Sequence, residues 1–228
     1  MLGLKDKANL YVIKKWHAKL KSDSYFTHSM RRYSLGAYDL PYDIFIPDAF
    51  HPEFETKGDL LLISHEFSRT GAPVVLLETA KILKDAGYFV VVASPFDGPM
   101  KTDFLQLGVM VIIDKTLADY RWREPSEVPK LISHSIKGII HEFDLVICMT
   151  MVCHNLINCY SGTDVPIFWW LHEGSYSYKD NARFMLNKLG SNVTVRCGGL
   201  YAQQMLSKYK PNYKSEILLY GIRDRADE

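Results

Sequence analysis

Two of the three histidine–glutamate pairs in the chain, His65-Glu66 and His172-Glu173, each close an apolar run of strand length, and the loop "EFSRTGAP" overlaps the first of them. Turns are ordinarily built from Gly, Asn, Asp, Ser or Pro, so a His-Glu pair at a strand end calls for another reason. An imidazole can hydrogen-bond a hydroxyl or align a reacting centre, and a carboxylate can accept from one. Gly71, Ala72 and Pro73 open a helix-like pattern. Proline suits the first helical turn, where its missing N–H would have no partner anyway. The unpaired N–H groups of such a helix start, together with the helix dipole, suit a phosphate. The loop has no Gly-Lys-Ser/Thr, so it is not a Walker A motif. Gly71 also stands alone where a dinucleotide fingerprint needs three glycines. Taken by itself the loop reads equally as a structural turn and as an anion site.

The elements that would position these groups begin at Asp59. Seven apolar runs of strand length occupy 60–64, 89–94, 109–114, 145–150, 167–172, 192–197 and 216–221. Most are apolar throughout, as parallel strands covered on both faces are. Helix-period segments alternate with them: "PVVLLETAKILKDAG" with Gly87 as its stop, Lys101–Leu107, Ser126–Glu142, Cys153–Cys159, Lys179–Leu189 and Leu200–Tyr209. That alternation predicts an α/β doubly wound, mostly parallel sheet with right-handed crossovers. In such sheets ligands bind outside the carboxyl ends of the strands, where both His-Glu pairs and Gly198-Gly199 fall. Trp169 and Trp170 are neighbours on one strand, so alternation sends one to each face to pack helices.

Residues 1–57 read differently. Leu10, Ile13, Trp16 and Leu20 mark one face of a helix, with Lys14, Lys15, Lys19 and Lys21 among them. This extension packs on its own domain or touches anionic lipid headgroups. Gly36 to Lys57 is an extended connector with one short strand, "YDIFI". The expected organisation is a helical extension and connector over 1–57 and a single α/β domain over 58–228.

The formal net charge of +1 over 228 residues gives no argument for a nucleic-acid partner. No apolar run reaches the roughly 18–20 residues of a membrane span. The N-terminus also lacks the apolar core and cleavage site of a signal peptide, which points to the cytoplasm. The four cysteines form no C-x-x-C pair and read as buried reduced thiols, not zinc ligands, with His154 beside Cys153 adding no second ligand pair.

"SHEFSRTGAPVVLLETAKILKDAGYFVVVASPFDGPM", "LGVMVIID", "FWWLHE" and "ILLYGIRD", in that order, resemble the N-terminal domain of bacterial glycosyltransferases. The match is to the two-domain Rossmann-like type (GT-B fold) in retaining family 4, over about Asp59 to Asp224. The resemblance implies a hexosyltransferase that moves a sugar from a nucleotide-sugar to an acceptor hydroxyl in glycan synthesis. It implies that this domain shapes the acceptor side, and that a C-terminal domain holds the donor with a basic pair and an E-x7-E motif. By position Gly71, with Ala72, approaches the donor diphosphate, and His172 lies near the donor sugar. His65, Glu66, Glu173 and Tyr176 are the further candidates for substrate contacts, Glu66 and Glu173 reading equally as structural caps. The resemblance implies no metal and no cofactor, since the nucleotide-sugar is a substrate.

The sequence departs from that pattern in two places. After "LLYGIRDRADE" no donor-domain motif follows, so the chain is expected to be inactive without that domain. The alternatives are a non-catalytic subunit that completes a partner glycosyltransferase and a free-standing nucleotide-binding protein. "VTVRCGG" replaces a turn that often carries serine in the family. No nucleophile is assigned, because a double displacement needs two carboxylates flanking the anomeric carbon and no such pair can be placed. A glycan or lipid-linked acceptor fits the basic N-terminal helix, with the protein peripheral at the inner face of the membrane.

Overall fold

The computed structural model describes residues 42–47, 56–117, 140–174, 181–186 and 188–220. The basic N-terminal helix and most of the helix read at 126–142 lie outside the described residues.

Eight strands form one sheet: β1 (Asp43–Phe45), β2 (Asp59–Ile63), β3 (Phe89–Ser94), β4 (Met110–Ile113), β5 (Leu145–Met149), β6 (Ile167–Leu171), β7 (Val193–Cys197) and β8 (Glu216–Ile217). Their order across the sheet is β1-β4-β3-β2-β5-β6-β7-β8, and every pairing is parallel except β1 with β4. The seven parallel strands are those read from the sequence. The eighth, β1, is the short "YDIFI" strand, and it joins the sheet at the β4 edge, with Asp43 opposite Ile113. At the other edge β8 is shorter than the apolar run 216–221 suggests. An edge strand is covered less, and both its residues are exposed.

Five α-helices lie among the described residues: α1 (Gly71–Asp85), α2 (Met100–Gln106), α3 (His154–Tyr160), α4 (Asn181–Met185) and α5 (Leu200–Tyr209). Alternation along each strand builds two cores. Leu60, Leu62, Val90, Val92, Val111, Met149 and Trp170 pack against Val75, Leu76 and Ala80 of α1 and Met100 and Phe104 of α2. Leu61, Ile63, Val91, Ala93, Val146, Trp169 and Val195 face the other way, onto Leu156 and Ile157 of α3 and Ala202, Met205 and Leu206 of α5. Burying a leucine such as Leu76 contributes about 1.5–3 kcal/mol, so this two-sided coverage is what makes the strands apolar throughout. Trp169 and Trp170 fall one to each core, as alternation requires.

Helix α1 ends at a left-handed glycine. Gly87 has φ +90, its N–H donates to Lys84 O and Tyr88 N–H donates to Leu83 O, the paired bonds of a Schellman stop. That turn feeds the chain into β3. From β2 the chain moves outward through β3 to β4, then returns to the far side of β2 and continues through β5, β6 and β7. The direction therefore reverses between β2 and β5, and the crevice lies outside their carboxyl ends.

Candidate functional site

A cavity of about 400 Å³ opens at this edge, lined by Arg69, Thr70, Gly71, Ala72, Val74, Val75, His172 and Tyr220. The N-terminus of α1 forms one side. Thr70 occupies the N-cap position in extended conformation but makes no capping bond with its side chain. Its hydroxyl is instead engaged with Ser68 Oγ at 2.8 Å and with Glu66 Oε1 at 3.3 Å. The Glu66 carboxylate also accepts from Ser68 Oγ at 2.6 Å. Glu66 thus pins the loop and draws the natural cap away from the helix start, leaving its first N–H groups facing the cavity. A Cβ built on Gly71 meets nothing within 4 Å, so the backbone there stands in open space.

His172 forms the opposite side. β6 delivers it one residue beyond Leu171, and its ring is packed on several sides. The Trp170 indole lies 5.0 Å away between centroids, the Tyr220 ring 5.0 Å away nearly edge-on, and Met149 Sδ 3.1 Å from Nε2. Gly198 completes the nest, since a Cβ there would come within 2.8 Å of His172 Nδ1. Any side chain at position 198 would therefore press on the imidazole. Burial pushes the imidazole from its ordinary 6.5 down to about 4, so His172 is neutral at pH 7 and offers one donor and one acceptor.

Glu173 turns away from that cavity. Its Oε1 accepts from Met151 N–H at 2.9 Å and its Oε2 from His172 N–H at 3.1 Å. Burial raises its pKa, and those backbone N–H groups oppose the rise. The carboxylate ties the end of β6 to the turn after β5. In that turn Thr150 holds φ 73, a left-handed conformation that a β-branched residue resists. Trp169 Nε1 donating to Thr150 O at 2.7 Å and Val152 N–H donating to Thr150 Oγ1 at 3.3 Å help keep it there.

Of the candidates read from the sequence, Gly71, Ala72 and His172 meet around the cavity. His65 and Glu66 stand behind the loop, with His65 Nε2 3.6 Å from Glu66 Oε1, and neither lines it. Tyr176 lies outside the described residues. The sequence reading missed Arg69, Thr70 and Tyr220. Arg69 sits in the quoted loop, and Tyr220 lies 48 residues beyond His172 in the chain, a proximity that only the sheet order creates. Among the described residues no group of His, Cys, Asp and Glu gathers to hold a metal ion, and no helix is long and apolar enough to cross a membrane. All four cysteines are free thiols, three of them buried.

The buried imidazoles set a pH dependence. His154, on α3, is also held at about 4 by burial. From pH 6.5 down to about 4 the unfolded chain takes up protons at His154 and His172 and the folded chain does not, so stability falls with pH. Each group contributes at most about 1.4 kcal/mol per pH unit, His172 less because it is only part-buried. Glu173, raised from its ordinary 4.5, acts in the opposite sense and loses stability as pH rises above that value. Urea midpoints measured from pH 7.5 to 5 should fall, and Glu173→Gln should steepen the fall. A profile that stays flat in Glu173→Gln as well as in the wild type would contradict neutral burial of the two histidines.

Residues 57–208 match the sequence pattern of glycosyl-transferase family 4, two-thirds of the chain. The chain belongs to that family. No curated protein sequence matches it. Among solved structures, Anabaena HepE (Alr3699) in complex with UDP-glucose superposes with a TM-score of 0.56 at 18% identity, covering 72% of this chain and 44% of that one. The same protein in complex with UDP and glucose gives 0.55 at 18%, with coverage of 72% and 44%. A glycosyltransferase from Rickettsia africae gives 0.49 at 18%, covering 68% and 41%. At this identity the likeness speaks for the fold, the α/β architecture of GT-B glycosyltransferases. This family 4 chain spans less than half the length of the structures it resembles.

Proposed function

We propose that this glycosyltransferase chain forms one wall of a sugar-transfer cleft, in an enzyme that moves a hexosyl group from a nucleotide-sugar to an acceptor hydroxyl with retention of configuration. The observation that carries the reading is the shared cavity, which sets the uncapped start of α1, at Gly71 and Ala72, against the neutral imidazole of His172. Negative charge builds on the leaving diphosphate as the glycosidic bond breaks, and the free N–H groups at the helix start stabilise it. A neutral imidazole bonds a sugar hydroxyl in a way an imidazolium could not, because it keeps an acceptor nitrogen. Its Nε2 lies 3.1 Å from the Met149 thioether and its Nδ1 faces Gly198, and in either tautomer one of the two nitrogens is an acceptor.

That HepE was solved with UDP-glucose supports a nucleotide-sugar as the donor here. Coverage of 44% of that structure supports a second unit that grips the donor from the other side. The proposed acceptor is a glycan or lipid-linked hydroxyl; a lipid-linked one is compatible with Lys14, Lys15, Lys19 and Lys21, which suit anionic headgroups. His172→Ala in the complete enzyme should lower kcat by about 10²–10³, the usual loss for one polar group aimed at a transition state, with the near-UV circular dichroism unchanged. Unchanged turnover removes His172 from the reaction.

A further inference from the structure

A diphosphate brings charge that neutral His172 does not answer. Among the described residues lining the cavity, Arg69 alone carries a full charge. Its guanidinium is held in a fork by Asp103 of α2, with Nε 3.1 Å from Oδ2 and Nη2 3.0 Å from Oδ1. Two of its five N–H groups are used there, and the other three remain for a ligand. Asp103 is itself well placed to fix the fork. It stands on a helix anchored by buried Met100 and Phe104 and is 24% exposed against 64% for Arg69. The backbone on the other side is also fixed, because Glu66 holds the hydroxyls of Ser68 and Thr70, the residues flanking Arg69. An exposed ion pair between two flexible side chains contributes only about 0–1 kcal/mol to stability, so folding alone is a weak reason for this arrangement.

We infer that Arg69 is the cation this chain supplies to the phosphoryl oxygens of the bound nucleoside diphosphate, and that Asp103 is the positioning residue that aims it. This rests on the reading of the cavity as the sugar-nucleotide site. Arg69 lines the same cavity as Gly71 and Ala72, so a phosphoryl group bound there is within the compass of both the guanidinium and the helix start. Asp103 gives up part of the attraction by neutralising Arg69 and gains a fixed direction for it.

The test is titration of the 228-residue chain with inorganic pyrophosphate and with UDP, followed by ³¹P NMR at low salt, with uridine as the uncharged control. Arg69→Ala should weaken pyrophosphate and UDP at least about tenfold and leave uridine unchanged. Arg69→Lys should fall between the two, since charge survives and the fork does not. The exchange Arg69→Asp with Asp103→Arg rebuilds the ion pair in reverse. It should restore the melting temperature while binding stays weak, a separation that a purely structural pair would not give. Wild-type affinity in Arg69→Ala, or recovery of binding in the exchanged variant, overturns the inference and leaves the cavity reading standing. Because a second unit is proposed to hold the donor from the other side, uptake by this chain alone should be weak but detectable at low salt, and the absence of any uptake of pyrophosphate or UDP overturns both.

Discussion

Gly198→Ala should disable sugar transfer nearly as fully as loss of His172 itself. The added Cβ would lie 2.8 Å from His172 Nδ1, closer than carbon and nitrogen tolerate, and in tight contact with Tyr220 Cε1 at 3.3 Å. The imidazole cannot yield toward Trp170 or Met149, which already touch it at 5.0 Å between ring centroids and 3.1 Å from Nε2. It must therefore swing out of its nest or push Tyr220 off the cavity. Overpacking of this kind costs about 1–3 kcal/mol, which the fold should survive. Turnover of the complete enzyme should fall about 10²-fold, and the fluorescence of the Trp170 indole should report the displaced ring. An alanine variant with native turnover would show that the nest around His172 does not serve the reaction.

Gly71→Ala should do the reverse to stability and the same to function. Alanine is favoured over glycine in a helix, and nothing within 4 Å obstructs its methyl, so the fold should gain about 0.4–1 kcal/mol. The methyl would project where the backbone is proposed to meet the diphosphate. UDP affinity should drop at least about tenfold, and Gly71→Val should abolish it. A raised melting temperature with lost binding is a pairing that general damage to the protein cannot produce. Raised stability with unchanged binding would assign Gly71 to the turn alone.

These two glycines also show how far the sequence could be read. Gly71 was visible because a strand, a glycine and a proline-opened helix follow one another within a dozen residues. Gly198 is visible only as an unusual turn; its partner His172 ends the preceding strand, with one helix and β7 between them in the chain. The strands from β2 to β6 are legible because burial on both faces leaves a nearly continuous apolar run, whereas β7, VTVRC, shows as alternation with Thr194 exposed. β1 was seen as a strand, but its place in the sheet was not. Three residues carry no period, and the choice of β4 as partner is made by packing. In the site, residue type was a fair guide and direction was not. Both His-Glu pairs end strands, yet only His172 of the four lines the cavity, while Glu66 and Glu173 hold backbone and hydroxyl groups in place. A carboxylate one residue beyond a site histidine points the other way along an extended chain, and that alternation could have argued for the structural role of Glu173. Arg69 had no such signal, since an arginine in a polar loop looks like any solvated charge until Asp103 is seen opposite it.

The central claim is that a nucleoside diphosphate meets the start of α1. It is tested most directly by following the backbone amide resonances of the ¹⁵N-labelled chain during titration with UDP. The amides of Gly71 and Ala72 should move most, with the His172 side chain following when UDP-glucose replaces UDP. Binding that shifts other amides and leaves those two at their free positions would contradict the account.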